Sequence, residues 1–254
     1  MSSIELKNVC VDYIVKSGTE SLKRAMINAC RSISRKGQND IKLKTKHTSF
    51  RALNNISLDI NKGDRVGLVG RNGAGKSTML RVIAKIYQPT FGTIKINGDI
   101  SNLFDLNLGI NIEATGYENI VNLGIMRGWS KKQAYGVISE IEDFTELGDF
   151  LDKPVSGYST GMQMKLAFAV ATAFPPEIVL IDEIIGTGDA HFMKKATNRI
   201  MDMIDKSHIL VLTSHANDII KKFCNKVVVL DHGEIKFFGD CEEGLNFYEK
   251  NLIN

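Results

Sequence analysis

The chain has 254 residues, 43% of them apolar, enough for one large domain or two small ones around a buried core. Its 32 Lys and Arg against 29 Asp and Glu leave a net charge of +3, too small to mark a nucleic-acid binder or a trap for acidic substrates. The four cysteines, Cys10, Cys30, Cys224 and Cys241, form no CxxC pair, which disfavours a structural zinc site or a disulfide-stapled secreted scaffold and fits a reducing cytosol.

Ser2 and Ser3 follow Met1 directly, without the charged head and apolar run of a signal peptide. Ile4 to Val9 then alternates in the manner of a strand, as do Ile56, Leu58 and Ile60 before the turn residues Asn61 to Asp64. Between these strands, Lys16 to His47 holds nine basic residues against Glu20 and Asp40, a local +7 that leaves −4 for the rest of the chain. Leu22, Ala25, Met26, Ala29 and Ile33 recur there at helical spacing, so Ser21 to Ser34 reads as a short basic amphipathic helix. Arg65 to Val69 is a short strand running into a glycine-rich turn, and Lys76 to Ile86 is helical until Pro89 stops it. Thr93 to Ile96 is a further strand. Gly116 to about Phe174 is helical, with breaks at Trp129–Ser130 and Asp152–Gly157. The most apolar stretch of the chain, Leu166 to Ile181, is interrupted by Pro175, Pro176 and Glu177 and falls short of the ~20 apolar residues of a membrane span. Ile178–Ile181, Ile209–Thr213 and Val227–Leu230 are apolar, β-branched runs separated by helical stretches, the alternation of a parallel α/β sheet. Val227–Leu230 and Ile235–Phe238 make a terminal hairpin through His232 and Gly233, and Glu242 to Asn251 a last surface helix. There is no long internal repeat.

Gly70, Arg71, Asn72, Gly73, Ala74, Gly75, Lys76, Ser77 and Thr78 match the phosphate-binding P-loop, placed after a strand and before a helix as its mechanism requires. The glycines let successive backbone N–H groups face a phosphate, the helix N-terminus adds the positive end of its dipole, Lys76 reaches the β and γ phosphates, and Ser77 offers a hydroxyl to Mg²⁺. Ile178–Glu183 delivers two carboxylates at the C-terminal end of a buried strand, the edge at which open α/β sheets bind ligands. Asp182 suits Mg²⁺ through water and Glu183 a general base; two such carboxylates alone equally fit the start of a solvated loop, and the P-loop is what gives them weight. Ser159 suits the N-cap of the apolar helix that follows it. His215 follows the strand Ile209–Thr213 at the same sheet edge.

In this order, GRNGAGKST, YSTGM, IVLIDE, GTGDA and SH resemble the nucleotide-binding subunit of ABC transporters over nearly the whole chain. The resemblance implies an α/β fold: a P-loop NTPase of the ABC nucleotide-binding type, a single domain over 1–254 with an antiparallel β edge and an inserted helical subdomain at about 107–172. It implies that Ser159, Gly161 and Met162 form a signature contacting the γ-phosphate held by an opposite copy. Asp189 then lies in the loop joining two sites, and His215 contacts the γ-phosphate. The implied cofactors are ATP and Mg²⁺, the implied assembly a homodimer docked under a separate membrane-spanning permease at the cytoplasmic face of the inner membrane.

YSTGM in place of the commoner LSGGQ, IDEIIGTGDA and TGYENI resemble the subunits that export lipid-linked polysaccharide, whether O-antigen, capsule or teichoic acid. Such proteins tend to carry an N-terminal amphipathic insertion where Ser21–Ser34 falls, and some add a C-terminal glycan-binding domain, which a chain ending at Asn254 is not expected to hold. Two departures stand out. The loop between the subdomains reads Phe104, Asp105, Leu106, Asn107, Leu108, Gly109 where the family places a glutamine, so Asp105 is its stand-in near the metal, with coupling to the permease read through Leu108 and Gly109. The adenine-stacking aromatic is Tyr13 or, on the other flank of the insertion, Phe50, with Tyr13 favoured. Nucleic acid is not an expected partner: soluble ABC-type ATPases acting on DNA or ribosomes carry two cassettes or a long coiled coil, and this chain has one cassette and no heptad run.

Overall fold

The structure, a computed structural model, describes residues 1–16, 47–104, 106, 108–182, 190–214 and 216–253. The amphipathic helix expected over Ser21–Ser34, with most of the basic insertion, and Asp105, Glu183, Asp189 and His215 lie outside the described residues.

Two sheets organise the described residues. Strands β1 (Ser3–Lys16), β2 (His47–Asn61) and β4 (Phe91–Asn97) form an antiparallel sheet in the order β2-β1-β4. The second sheet runs β5 (Ile100–Asn102), β6 (Ile178–Asp182), β7 (Ile209–Thr213), β3 (Arg65–Val69), β8 (Lys226–Asp231) and β9 (Glu234–Asp240), parallel except for β9. The parallel strands are covered on both faces, which is why β6 and β7 read as unbroken aliphatic runs instead of alternating.

β1 is longer than the expected Ile4–Val9. Ile4 and Leu6 are buried, then Asn8 adopts a φ of 49° in a bulge, and the buried set resumes at Val9 and Val11. The bulge adds one residue and shifts the in–out alternation by one, so periodicity ends where the strand does not. The helix expected over Lys76–Ile86 is α1 (Lys76–Ile83); Ala84 caps it and Lys85 turns to a φ of 60°, ahead of Pro89. The last helix divides into α8 (Cys241–Tyr248), N-capped by Asp240, and a π-turn over Glu249–Ile253. β5, three residues long, gives too short a period to read from sequence.

Helices α2 (Gly116–Met126), α3 (Lys131–Gly136) and α4 (Ile138–Thr145), followed by 3₁₀ turns at Gly148–Asp152 and Val155–Gly157, pack around Ile120, Ile141, Leu151 and Val155. Ser130 caps α3 in a reciprocal box with Gln133, which explains the break at Trp129–Ser130. Helix α5 (Thr160–Thr172) belongs to two cores at once. Leu166, Ala169 and Val170 face this helical subdomain, whereas Ala167, Phe168 and Ala171 face the parallel sheet. A helix buried on all sides is apolar all round, as the run Leu166–Ala171 is.

The sheet's outer face is closed by α6 (Ala190–Lys206), α7 (Asn217–Phe223) and α8. Helix α6 also grips α4: Arg199 pairs with Glu140 and lies over the Phe144 ring, and Lys195 Nζ donates to Glu146 at 2.8 Å and to the Phe144 carbonyl at 2.9 Å. Cys10, Cys224 and Cys241 are free and buried, and burial pushes the Cys224 thiol up to about 12, so Cys224 serves as a small apolar side chain. Among the described residues no helix is long and apolar enough to cross a membrane.

Candidate functional site

The C-terminal ends of β3, β6 and β7 meet around one cavity of about 280 Å³. β3 runs into the loop Gly70–Gly75, which bends where its glycines permit. A Cβ on Gly70, whose φ is 154°, would lie 2.2 Å from the Leu230 carbonyl oxygen, and one on Gly75, at φ 107°, 2.8 Å from that of Ala52. Both collisions are with backbone, which has no rotamer to yield. Gly70→Ala is therefore expected to lower the melting temperature by several degrees and abolish nucleotide binding together, read by calorimetry and by nucleotide titration. A protein of unchanged stability that binds nucleotide normally would show that the loop is not held as described.

Gly75 is the N-cap of α1 and supplies no side-chain acceptor, and the first turn holds no acidic residue. The leading N–H groups of α1 thus lack the usual cap and meet the cavity with the positive end of the helix dipole, a ready anion site. Lys76 bends back over the loop, its Nζ donating to the Gly70 carbonyl at 2.7 Å and the Arg71 carbonyl at 3.1 Å. Asn72, Gly73, Ala74, Ser77 and Thr78 complete that wall.

The adjoining wall is aromatic. Tyr13 and Phe50 are directly paired across β1 and β2, so both project from one face of the sheet into the same cavity. They differ in freedom: the Tyr13 hydroxyl lies 3.3 Å from Thr78 Oγ1 and its ring meets Tyr87 edge-on at 5.8 Å, whereas Phe50 is 57% exposed. The cross-strand pairing explains why sequence alone offered either.

At the floor, Asp182 closes β6 and Thr213 closes β7 beside it; Thr213 Oγ1 donates to Asp182 Oδ1 at 2.5 Å. Ser77 and Asp182 bring a hydroxyl and a carboxylate to one cavity. These are hard oxygen donors of the kind Mg²⁺ takes when phosphates and waters supply its remaining ligands, so the donor set fits that ion. Thr213 and Ser214 line the cavity without having been singled out from sequence. The available signal is the polar residue ending an otherwise aliphatic Ile209–Leu212 run.

Ser159, Gly161 and Met162 are not part of this cavity. Ser159 N-caps α5, its Oγ accepting from Met162 N at 3.3 Å, and Ser159, Thr160 and Gly161 are exposed. The segment is anchored from beneath by Tyr158, whose hydroxyl donates to the Phe150 carbonyl at 2.6 Å. The TGYENI stretch is explained by the same packing. Thr115 and Glu118 form a reciprocal cap, a Cβ on Gly116 would meet the Tyr158 hydroxyl at 2.4 Å, and the buried Asn119 holds the preceding turn, accepting from Asn111 N and donating to the Asn111, Ala114 and Thr115 carbonyls.

With this geometry in place, the sequence profile of the ABC transporter family matches residues 53–186, more than half of the chain. The chain belongs to the ABC transporter family. It is an ATPase with the ATP-binding cassette fold. Among its relatives, the O-antigen export system ATP-binding protein RfbE of Yersinia enterocolitica is 45% identical over 92% of this chain and 97% of the relative. The teichoic acids export ATP-binding protein TagH of Shouchella clausii is 37% identical over 82% of this chain and 58% of its own, longer chain. The cassette MJ0796, solved as a dimer in a post-hydrolysis state with ADP and Pi, superposes with a TM-score of 0.61 over 94% of this chain and 98% of its own at 22% identity, a likeness of fold.

Proposed function

We propose that this ABC ATPase is the ATP-hydrolysing subunit of an exporter that moves a lipid-linked polysaccharide, O-antigen foremost, across the cytoplasmic membrane. The observation that carries this reading is the 45% identity to an O-antigen export ATP-binding protein sustained over 97% of that protein's length, joined to a complete phosphate cradle. The likeness to TagH keeps teichoic acid as an alternative cargo, and the motif resemblance keeps capsule.

In this reading the Gly70–Thr78 loop wraps the phosphates of ATP and Lys76 turns from the loop carbonyls to the β and γ phosphates. Tyr13 or Phe50 stacks on adenine, tolerant of either ring because stacking needs only an aromatic face. Ser77 and Asp182, with Asp105, would hold Mg²⁺, which supplies positive charge against the phosphates. Glu183 takes a proton from the attacking water and His215 contacts the γ-phosphate.

Two copies close head to tail, each presenting Ser159, Gly161 and Met162 to the γ-phosphate in the other's cradle. The open surroundings of Gly161 support this, since a Cβ there would meet only the Ser159 hydroxyl, at 3.9 Å. Among the described residues nothing requires a glycine at that point; close approach from outside would. ATP, reaching both copies, favours the closed dimer over the open one by more than ADP does, and that differential affinity drives the cycle.

The subunit sits peripherally on the cytoplasmic face of the inner membrane under a separate permease. Leu108 and Met126 are both exposed, and Gly109 packs beside Met126, giving an apolar patch on the helical subdomain for that partner.

The test is to purify the tagged chain from detergent-solubilised cells and assay what accompanies it. A co-eluting polytopic membrane protein with ATPase activity that depends on Glu183 is the expected result. A chain that elutes alone, carrying nucleic acid, leaves the ATPase standing and removes the exporter.

A further inference from the structure

Thr213 lies 1% exposed at the end of a strand whose other four residues are aliphatic and equally buried. It has the shape of valine, so packing alone gives no reason for its hydroxyl. What the hydroxyl meets is Asp182 Oδ1, at 2.5 Å. An ionised carboxylate can only accept, so Thr213 is the donor. The two residues are also Cα partners in the β6–β7 register, which fixes their separation through the backbone ladder instead of through flexible side chains. On its other side Thr213 pairs with Leu68 of β3, two residues before the phosphate loop begins at Gly70. Thr213 thus sits at the central strand of the site, between the carboxylate and the cradle, and lines the same cavity as Ser77 and Lys76.

We infer that Thr213 is a positioning residue: it holds one oxygen of Asp182, arrests the rotation that would interchange the two, and so sets the carboxylate's orientation toward the divalent cation that accompanies ATP. This rests on the reading of Asp182 as the residue that serves the metal. Hydrogen bonds that orient the outer-shell groups around an ion tune metal affinity by about ten- to a hundredfold when removed.

The test compares Thr213→Val, which keeps the shape and deletes the donor, with Thr213→Ser, which keeps the donor and deletes the methyl. Mn²⁺ is titrated against each full-length protein with a non-hydrolysable ATP analogue, bound Mn²⁺ being followed by electron paramagnetic resonance, and analogue binding is measured separately in EDTA. Thr213→Val is expected to weaken Mn²⁺ binding about tenfold or more, with Thr213→Ser close to wild type and metal-free binding of the analogue equal in all three. Wild-type affinity for Mn²⁺ in Thr213→Val overturns the inference and leaves the site assignment intact. Equal losses in Thr213→Val and Thr213→Ser, or a parallel loss of metal-free binding, also overturn it, because the hydroxyl would then be serving the packing of β7. A wild-type protein that binds the analogue but no Mn²⁺ removes the metal role of Asp182 and the inference with it.

Discussion

Glu183→Gln is expected to bind ATP as the wild type does while hydrolysis falls by about 10²- to 10⁴-fold, the span that a positioned general base contributes. The substitution keeps the side chain's shape and removes the basic oxygen. The residues proposed to hold the nucleotide, from Gly70 to Thr78, belong to a different segment, and Asp182, the neighbour of Glu183, is hydrogen-bonded by Thr213. Binding and chemistry should therefore separate. On the proposed cycle closure depends on ATP bridging two copies, and with hydrolysis stopped nothing reopens them, so the variant should accumulate as an ATP-bound dimer. Phosphate release gives the first quantity and size-exclusion chromatography in ATP the second. Hydrolysis at the wild-type rate would place the base elsewhere, and slow hydrolysis without an accumulating dimer would remove the bridging role of Ser159.

Lys76→Ala should lose binding and turnover together. The lysine is at the N-terminus of α1, and its Nζ lies against the Gly70 and Arg71 carbonyls, in the mouth of the loop that is to hold phosphate. Those carbonyl contacts are the ones a phosphate would replace with stronger, charge-assisted bonds, each of about 1.5–3 kcal/mol. Two such bonds correspond to a fall in ATP affinity of about a hundredfold or more. Among the described residues of that wall, truncation leaves the positive end of the helix dipole as the remaining attraction for phosphate. Calorimetric titration with ATP measures the affinity, and thermal melting without nucleotide controls for the fold. Retained affinity would show that the backbone N–H groups alone bind the phosphates.

Much of the site was legible because its chemistry is local. A run of glycines followed by Lys76 and Ser77 encodes both the turn and the donors within nine residues, and the carboxylate follows its strand by sequence alone. The strands β6 and β7 were equally plain, since burial on both faces makes them unbroken aliphatic runs. The capping of α5 by Ser159 was readable from the apolar helix it precedes.

Features that depend on two distant segments were not. The extension of β1 past Val9 is hidden by a bulge that shifts its alternation, and β5 is held by its parallel pairing with β6 more than by any periodicity of its own. That Tyr13 and Phe50 share one face follows from the register of β1 on β2, which no count along the chain reveals across the long insertion. Gly116 reads as an ordinary glycine until Tyr158, 42 positions on, is seen occupying the space of its missing side chain. Thr213 reads as one more β-branched strand residue until the parallel ladder sets it beside Asp182. The ordered motifs carried the family resemblance, and the sequence by itself determined the glycine-rich turn and the carboxylate ending its strand, because short-range backbone propensity and covalent spacing specify them. The tertiary structure alone decided which side chains converge, because register and packing between segments far apart in the chain set those distances.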